Sequence, residues 1–445
     1  MMSLPDIRWP LLVALVATLG ISACSRTVDD EPETPLTGER IPVLTFDDRL
    51  EAESGIADQR ILLPPPYRNL NWTQMSGNAQ KVMYHLSVGD VLSKQWSKKI
   101  GKGADRDRKI TASPVVVDGV VYAQDSNATV SAFDAATGSV VWRKEFEIED
   151  ENKSLAFGGG LAIGGGRLYV NNGYGVVRAL DVKSGVELWR YDVGIPFRAP
   201  PSYADGRVFA VTHDNQLLAL DATDGVELWS HVGIAENAGL MSAASPSVSE
   251  GVVVAPYSSG ELFALRVENG RVAWTDTLSR AGRLTALASL NDIDGGAVID
   301  RGTVYALSHS GRMVAIDYST GGRIWEANVG GLSTPWVGGD YIYAVTEEAQ
   351  LVCILRRNGQ VRWVTQLQRF QDPDDREDVV HWVGPVLAGD RLIVGSSNGF
   401  LVSLSPYTGD VLSGRSIGAG VSVSPLVANE VLYVLQDDGS LTAYR

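Results

Sequence analysis

The side chains able to carry acid–base, nucleophilic or metal chemistry are few and dispersed. Five histidines, His85, His213, His231, His309 and His381, stand far apart in the chain. None shares a local metal-ligand spacing with cysteine or carboxylate, although a closed ring could bring distant residues together. Of the two cysteines, Cys353 lies in the apolar run AQLVCIL, where a buried thiol is expected, and Cys24 follows an apolar N-terminal stretch. With no CxxC or CxxCH, a redox dithiol, covalent haem and a structural zinc site have no sequence basis. Asp292 and Asp294, in SLNDIDGG, place two carboxylates two positions apart, but the ligand series and terminal glutamate of a calcium loop do not follow. Turn capping or solvent exposure is the plainer reading of that pair. Arg198, in VGIPFRAP, is a charge-assisted donor beside apolar Ile195 and Phe197, and an aromatic there can equally fold back over a sheet. The glycine runs of SLAFGGGLAIGGG lack the strand–turn–helix context of a phosphate loop. With no nucleophile–base motif either, neither an enzyme nor a metal or cofactor site is expected.

What must position these residues is a repeat. Tryptophans recur at Trp96, Trp142, Trp189, Trp229, Trp274, Trp325 and Trp363, at intervals of roughly 45 residues. Six have a glycine four positions earlier: Gly138, Gly185, Gly225, Gly270, Gly321 and Gly359. At Gly409 the pattern continues as GDVLSG, without the tryptophan. One unit, SPVVVDGVVYAQDSNATVSAFDAATGSVVW, reads as strand, DG turn, strand, polar turn, strand, TG turn and a last strand ending at Trp142. A small-then-large pair closes each third strand: Ala132-Phe133, Ala179-Leu180, Ala219-Leu220, Ala264-Leu265, Ala315-Ile316, Cys353-Ile354, Ser403-Leu404 and Ala443-Tyr444. Adjacent strand residues point to opposite faces, so each pair serves two packing surfaces.

Eight pairs imply eight four-stranded antiparallel units. The last unit ends at LTAYR without a fourth strand, and Trp96 has a strand without the three before it. Pairing of the N- and C-terminal strands explains both defects, so the expected fold is all-β: an eight-bladed β-propeller over 76–445 closed by its termini. The tryptophans are expected between neighbouring sheets. Asp134, Asp181, Asp221 and Asp317 recur before turns, where a short carboxylate accepts backbone N–H bonds.

The balance of the chain agrees. Its 445 residues are 44% apolar and carry a net charge of -15, which disfavours nucleic acid and anionic lipid as partners. The 47 glycines exceed the roughly 7% of ordinary globular chains and imply many tight turns. LLVALVATLG followed by ISAC reads as an export signal over 1–23, too short for a polytopic membrane protein. Ile21-Ser22-Ala23-Cys24 resembles the cleavage box of bacterial lipoproteins. That likeness implies an acylated Cys24 and, with Ser25 next to it, delivery to the outer membrane, anchored by buried acyl methylenes. Residues 24–75 are expected as tether or peripheral segment, with a short surface helix at FDDRLEAESG and no central strand at ILLPPPYRNLNW.

Taken together, the repeats and the N-terminal box resemble the quinoprotein-like propellers, and most closely the BamB family of lipoproteins. These are periplasmic subunits of the outer-membrane β-barrel assembly machinery. The likeness implies a non-enzymatic scaffold that binds the POTRA region of the central subunit, BamA, alongside the other subunits. Unfolded outer-membrane protein clients are a further implied partner. By the same likeness, Ile195, Phe197 and Arg198 match the family's partner-binding loop, and Asp292 and Asp294 its D-x-D element. Ile195 and Phe197 would then be apolar contacts, Arg198 a donor, and the aspartates acceptors. Related propellers include quinone-dependent periplasmic dehydrogenases, which leaves an enzyme as the alternative, with a cell-wall-binding propeller as a third.

Overall fold

Among the described residues, short runs of branched and aromatic residues separated by Asp-Gly and Asn-Gly-type turns fold into 34 strands. Thirty-two of these form eight four-stranded antiparallel sheets, the blades of a ring, and two form a small hairpin. The computed structural model describes residues 50–56, 59–146, 158–235, 244–279 and 292–445. Blade 1 is typical: Val115–Val117, Val120–Gln124, Val130–Asp134 and Val140–Lys144 run from the ring centre outward. Asp118 and Gly119 between its first two strands both take positive φ, the tight reversal expected of a DG turn. Blades 2 to 7 follow in chain order and end with the outer strand Val411–Ser416. Blade 8 takes three strands from the C-terminus and its outer strand, Lys94–Lys99, from the N-terminal side. Trp96 pairs with Ala443 in that sheet, so the termini close the ring.

The joint between blades explains the repeated residues. In each of blades 1 to 6 the small residue of the third strand lies opposite the tryptophan of the outer strand, as Ala132 opposite Trp142, and the register shifts by a bulge immediately after it. A small side chain leaves room for the indole. The indole then reaches the next blade: Trp142 Nε1 donates to the Val182 carbonyl at 3.2 Å, Trp189 to Ala222 at 3.1 Å and Trp274 to Tyr318 at 2.7 Å. Over each ring lies the turn glycine of that next blade, Gly185 on Trp142 and Gly225 on Trp189. Both glycines have φ between +70 and +78°, and a Cβ there would stand 2.7 and 2.5 Å from the indole. The glycine four residues before a tryptophan therefore serves the preceding blade's tryptophan, not its own.

This pairing accounts for the one missing tryptophan. Blade 7 has Ser413 opposite Ser403, and the neighbouring blade 8 has no covalent turn between its third and outer strands to supply a glycine and a carbonyl. Trp96 regains both on blade 1, with Nε1 donating to Ala135 at 3.0 Å beneath Gly138. The apolar core consequently lies between sheets; one cluster joins Tyr169, Val177 and Trp189 of blade 2 to Val208, Ala210 and Leu218 of blade 3. Cys353 is part of this interior, fully buried, with burial pushing its thiol pKa well up. The recurring aspartates cap their turns as the sequence suggests. Asp134 Oδ1 accepts from the Ala136 and Thr137 N–H groups, and at Asp317 the Ser319 and Thr320 hydroxyls, joined by the Thr320 N–H, hold the pKa down to about 2.

Residues 69–86 add a feature the repeats do not announce. They visit the innermost strands of all eight blades in ring order. Asn69 Nδ2 donates to Val427 of blade 8, Trp72 exchanges backbone bonds with Val116 of blade 1, and Thr73 accepts from Ile163 of blade 2. Gln74 pairs with the Tyr203 backbone of blade 3, Ala79 with Val248 of blade 4, and Gln80 with Ile299 of blade 5. Tyr84 accepts from the Trp336 indole of blade 6, and Leu86 bonds the Leu387 backbone of blade 7. The strap satisfies edge groups that face the ring centre. Residues 69–75, expected within a tether or peripheral segment, thus run along the innermost strands. Residues 50–53 carry no regular structure and 54–56 form a turn where a short helix was expected, and residues 46–49, with the signal and Cys24, lie outside the described residues.

Candidate partner-binding site

A meander puts the links from each outer strand to the next innermost strand on one face of the ring, together with the turns between second and third strands. The loop bearing Ile195, Phe197 and Arg198 is such a link, from Glu187–Asp192 of blade 2 to Ser202–Ala204 of blade 3. It is held along its length. The Val193 N–H donates to Gly175 at 2.9 Å, Phe197 N–H to Asn172 at 3.2 Å, Arg198 N–H to Val211 at 3.3 Å, and His213 N–H to the Pro196 carbonyl at 2.7 Å. Gly175 (φ +77°) is required here, since a Cβ would lie 2.7 Å from the Ile195 nitrogen. Phe197 folds back into the core between blades 2 and 3. Ile195 remains half-buried and Pro196 exposed, so these two form the loop's outward surface.

Asp292 and Asp294 lie on the equivalent link into blade 5, whose innermost strand is Val298–Asp300. The ring brings the two sequence motifs together. Arg198 Nη2 stands 3.3 Å from Asp292 Oδ1 and 3.8 Å from Asp294 Oδ1. All three side chains are buried, so the guanidinium ties the link into blade 3 to the link into blade 5 from inside the molecule. Neither carboxylate oxygen of Asp294 has a hydrogen-bond partner. Burial pushes its pKa well above the usual carboxylate range, helped by Asp292 and opposed by Arg198. The donor and acceptor roles assigned from sequence to Arg198 and the aspartates are thus used within the chain.

Two neighbours escaped the sequence reading. His309 donates its backbone N–H to the Asp292 carbonyl at 2.9 Å, and its Nδ1 lies 2.7 Å from Glu347 Oε1, a blade 5 to blade 6 contact. Lys81, on the strap, is fully buried with Nζ 2.7 Å from Ser245 Oγ, and burial lowers its pKa to about 7. Lys81, Trp72, Trp336 and Glu347 line a cavity of about 270 Å³ inside the ring. No local pattern flags either residue. Among the described residues no three histidine, cysteine or carboxylate groups are placed to hold a metal ion. Of the other histidines, His85 on the strap accepts from the Asp390 N–H of blade 7, and His231 of blade 3 lies 3.0 Å from the Tyr257 hydroxyl of blade 4, both packing roles between elements.

The repeats can now be set beside known proteins. The family model described as "Outer membrane protein assembly factor BamB" matches residues 126–365 and 371–445, well over half of the chain. The chain belongs to the BamB family. The assembly factor BamB of Salmonella typhimurium is 28% identical over 354 residues, covering 78% of this chain and 87% of its own length. BamB of Xanthomonas campestris is 29% identical over 371 residues, covering 82% and 88%. The crystal structure of BamB from Moraxella catarrhalis superposes with a TM-score of 0.66 at 21% identity, covering 80% of this chain and all of that one. Quinohemoprotein alcohol dehydrogenase from Comamonas testosteroni gives a TM-score of 0.65 at 14% identity, a likeness of fold alone. As a BamB-family member the chain is a non-enzymatic scaffold lipoprotein of the outer-membrane β-barrel assembly complex, located at the outer membrane.

Proposed function

We propose that this BamB-type scaffold is anchored by acyl chains on Cys24 and docks the POTRA region of BamA through a face that Ile195 presents and that buried Phe197, Arg198, Asp292 and Asp294 hold in place. The observation that carries this reading is the Arg198–Asp292 contact, which locks two separate links into one rigid surface. Each residue has a distinct task. Ile195, with Pro196, supplies the apolar contact; Phe197 anchors the loop in the core; Arg198 and the two aspartates hold its orientation. Rigidity favours binding because little loop entropy remains to be lost when the partner arrives. No bond chemistry is involved, and the scaffold acts by positioning its partner.

Titration of the isolated POTRA region into the full purified protein tests the reading. Saturable binding with a dissociation constant in the micromolar range or tighter, about −8 kcal/mol, is the expected result. Absence of saturable binding, or its persistence at full strength when the 195–198 loop is replaced by a glycine-serine linker, overturns the docking face. Mass measurement of the N-terminal peptide tests the anchor separately: acylated Cys24 is expected, and a free thiol there contradicts it.

A further inference from the structure

Sheet edges are the places where a propeller can still gain a strand. The strap of residues 69–86 reaches the innermost strand of every blade, so the open edges lie at the periphery. Natural edge strands are protected by charge, by proline or by a covering segment. Blade 8 has three lysines in KQWSKK, and the outer strand of blade 1 carries Arg143 and Lys144. Blade 6 is covered by the chain itself. The Glu53 N–H donates to the Val361 carbonyl at 2.9 Å, Arg362 Nη2 donates to the Gln59 carbonyl at 2.7 Å, and both Ile56 and Val361 are only 6% exposed.

Blade 7 has the same edge without the cover. Val361 stands two residues after its turn glycine, Gly359, opposite Ile354 at the bulge; Val411 stands two after Gly409, opposite Leu404 at the same bulge. Val411 is 58% exposed and its neighbour Leu412 53%. All six residues of Val411–Ser416 are exposed, since Ser413 replaces the tryptophan that would turn one side chain inward. Phe400, opposite Ser416, adds a partly exposed ring at the far end. The strand's one charged residue, Arg415, lies over the Tyr444 ring of blade 8 at 5.4 Å. Among the described residues no backbone group bonds the outer side of this strand.

We propose that Val411–Ser416 is a docking edge for an extended segment of another protein, one whose apolar side chains alternate with polar ones, added as a fifth strand to blade 7. Blade 6 supplies the argument for the occupant. At the equivalent position its edge takes the chain's own backbone, the Glu53 N–H on the Val361 carbonyl, with Ile56 buried in the turn that follows. Backbone bonding supplies affinity without demanding one sequence, and the exposed valine and leucine select a strand with an apolar face. The edge lies across the ring from the 195–198 loop, so it is a second surface, independent of POTRA docking.

The test uses the full protein and a fluorescent peptide of roughly nine residues alternating valine and threonine, with terminal lysines for solubility. Saturable anisotropy change is expected, with slowed amide exchange confined to 411–416. Methylating alternate backbone nitrogens along one edge of the peptide should weaken binding about tenfold or more, because main-chain donors are lost. Val411→Lys with Leu412→Lys should weaken it similarly, while Val272→Lys on blade 4 leaves it unchanged. No saturable binding, equal binding of the methylated peptide, equal binding by the double variant, or protection at another strand would each overturn the proposal. Since BamA is absent from this experiment, its outcome does not bear on the POTRA reading.

Discussion

The tryptophan joints and the Arg198 cluster both link one part of the ring to another, by opposite means. At a joint, a buried ring carries one polar atom, and that atom is satisfied: Trp274 Nε1 donates to Tyr318 and its face is covered by Gly321. In the cluster, charged groups are buried with incomplete partners, and both Asp294 oxygens are left without a hydrogen bond. Apolar burial with satisfied donors stabilises, whereas a buried ion pair often does no better than break even with a hydrophobic replacement. The joints are repeated and build the frame. The cluster occurs once, and the stability it forgoes is understandable if it orients a surface.

The largest expected effect sharpens the first half of that comparison. Trp274→Ala removes a buried indole and its inter-blade hydrogen bond, and should lower unfolding free energy by about 3–5 kcal/mol, measured by urea titration. Replacing Arg198 by methionine comes next. It removes the buried guanidinium from beside Asp292, for a loss on the order of 3 kcal/mol, and should loosen the 195–198 loop in amide exchange while the tryptophan joints stay protected.

The smallest effect has the opposite sign. Asp294 has a raised pKa in the folded protein, so between the ordinary carboxylate value of about 4 and that raised value the folded state holds more protons than the unfolded. Stability through this group is therefore lost as pH rises across that window. Asp294→Asn should flatten that fall, leaving the variant at least as stable as the parent at neutral pH. A parent whose stability does not fall relative to the variant would show that Asp294 ionises freely.

Local patterning made most of the frame legible. The Ala132-Phe133 pair and Trp142 mark the third and outer strands of blade 1 because strand alternation is a local rule, and the unmatched Trp96 exposed the closure by the termini. The true partner of each turn glycine was hidden, because that contact crosses from one unit to the preceding one. The strap was hidden for a related reason: its bonds join Asn69 to Val427 and Tyr84 to Trp336, and nothing periodic in residues 69–86 announces them. The site was legible in part. Both motifs could be singled out, but their meeting depends on how blades 2 to 5 are placed round the ring. That Phe197 turns inward while Ile195 stays accessible is a property of the loop's backbone bonds.

The central claim is that repeated residues build the frame and the unrepeated 195–198 loop makes the contact. Its most direct test is calorimetric titration of the POTRA region into Ile195→Lys and Trp274→Ala, at a temperature where both are folded. The account predicts that Ile195→Lys melts like the parent yet binds more weakly by about tenfold or more, roughly 1.4 kcal/mol, whereas Trp274→Ala melts early and binds as the parent does. Parent-like affinity in Ile195→Lys, or lost affinity in folded Trp274→Ala, would contradict it.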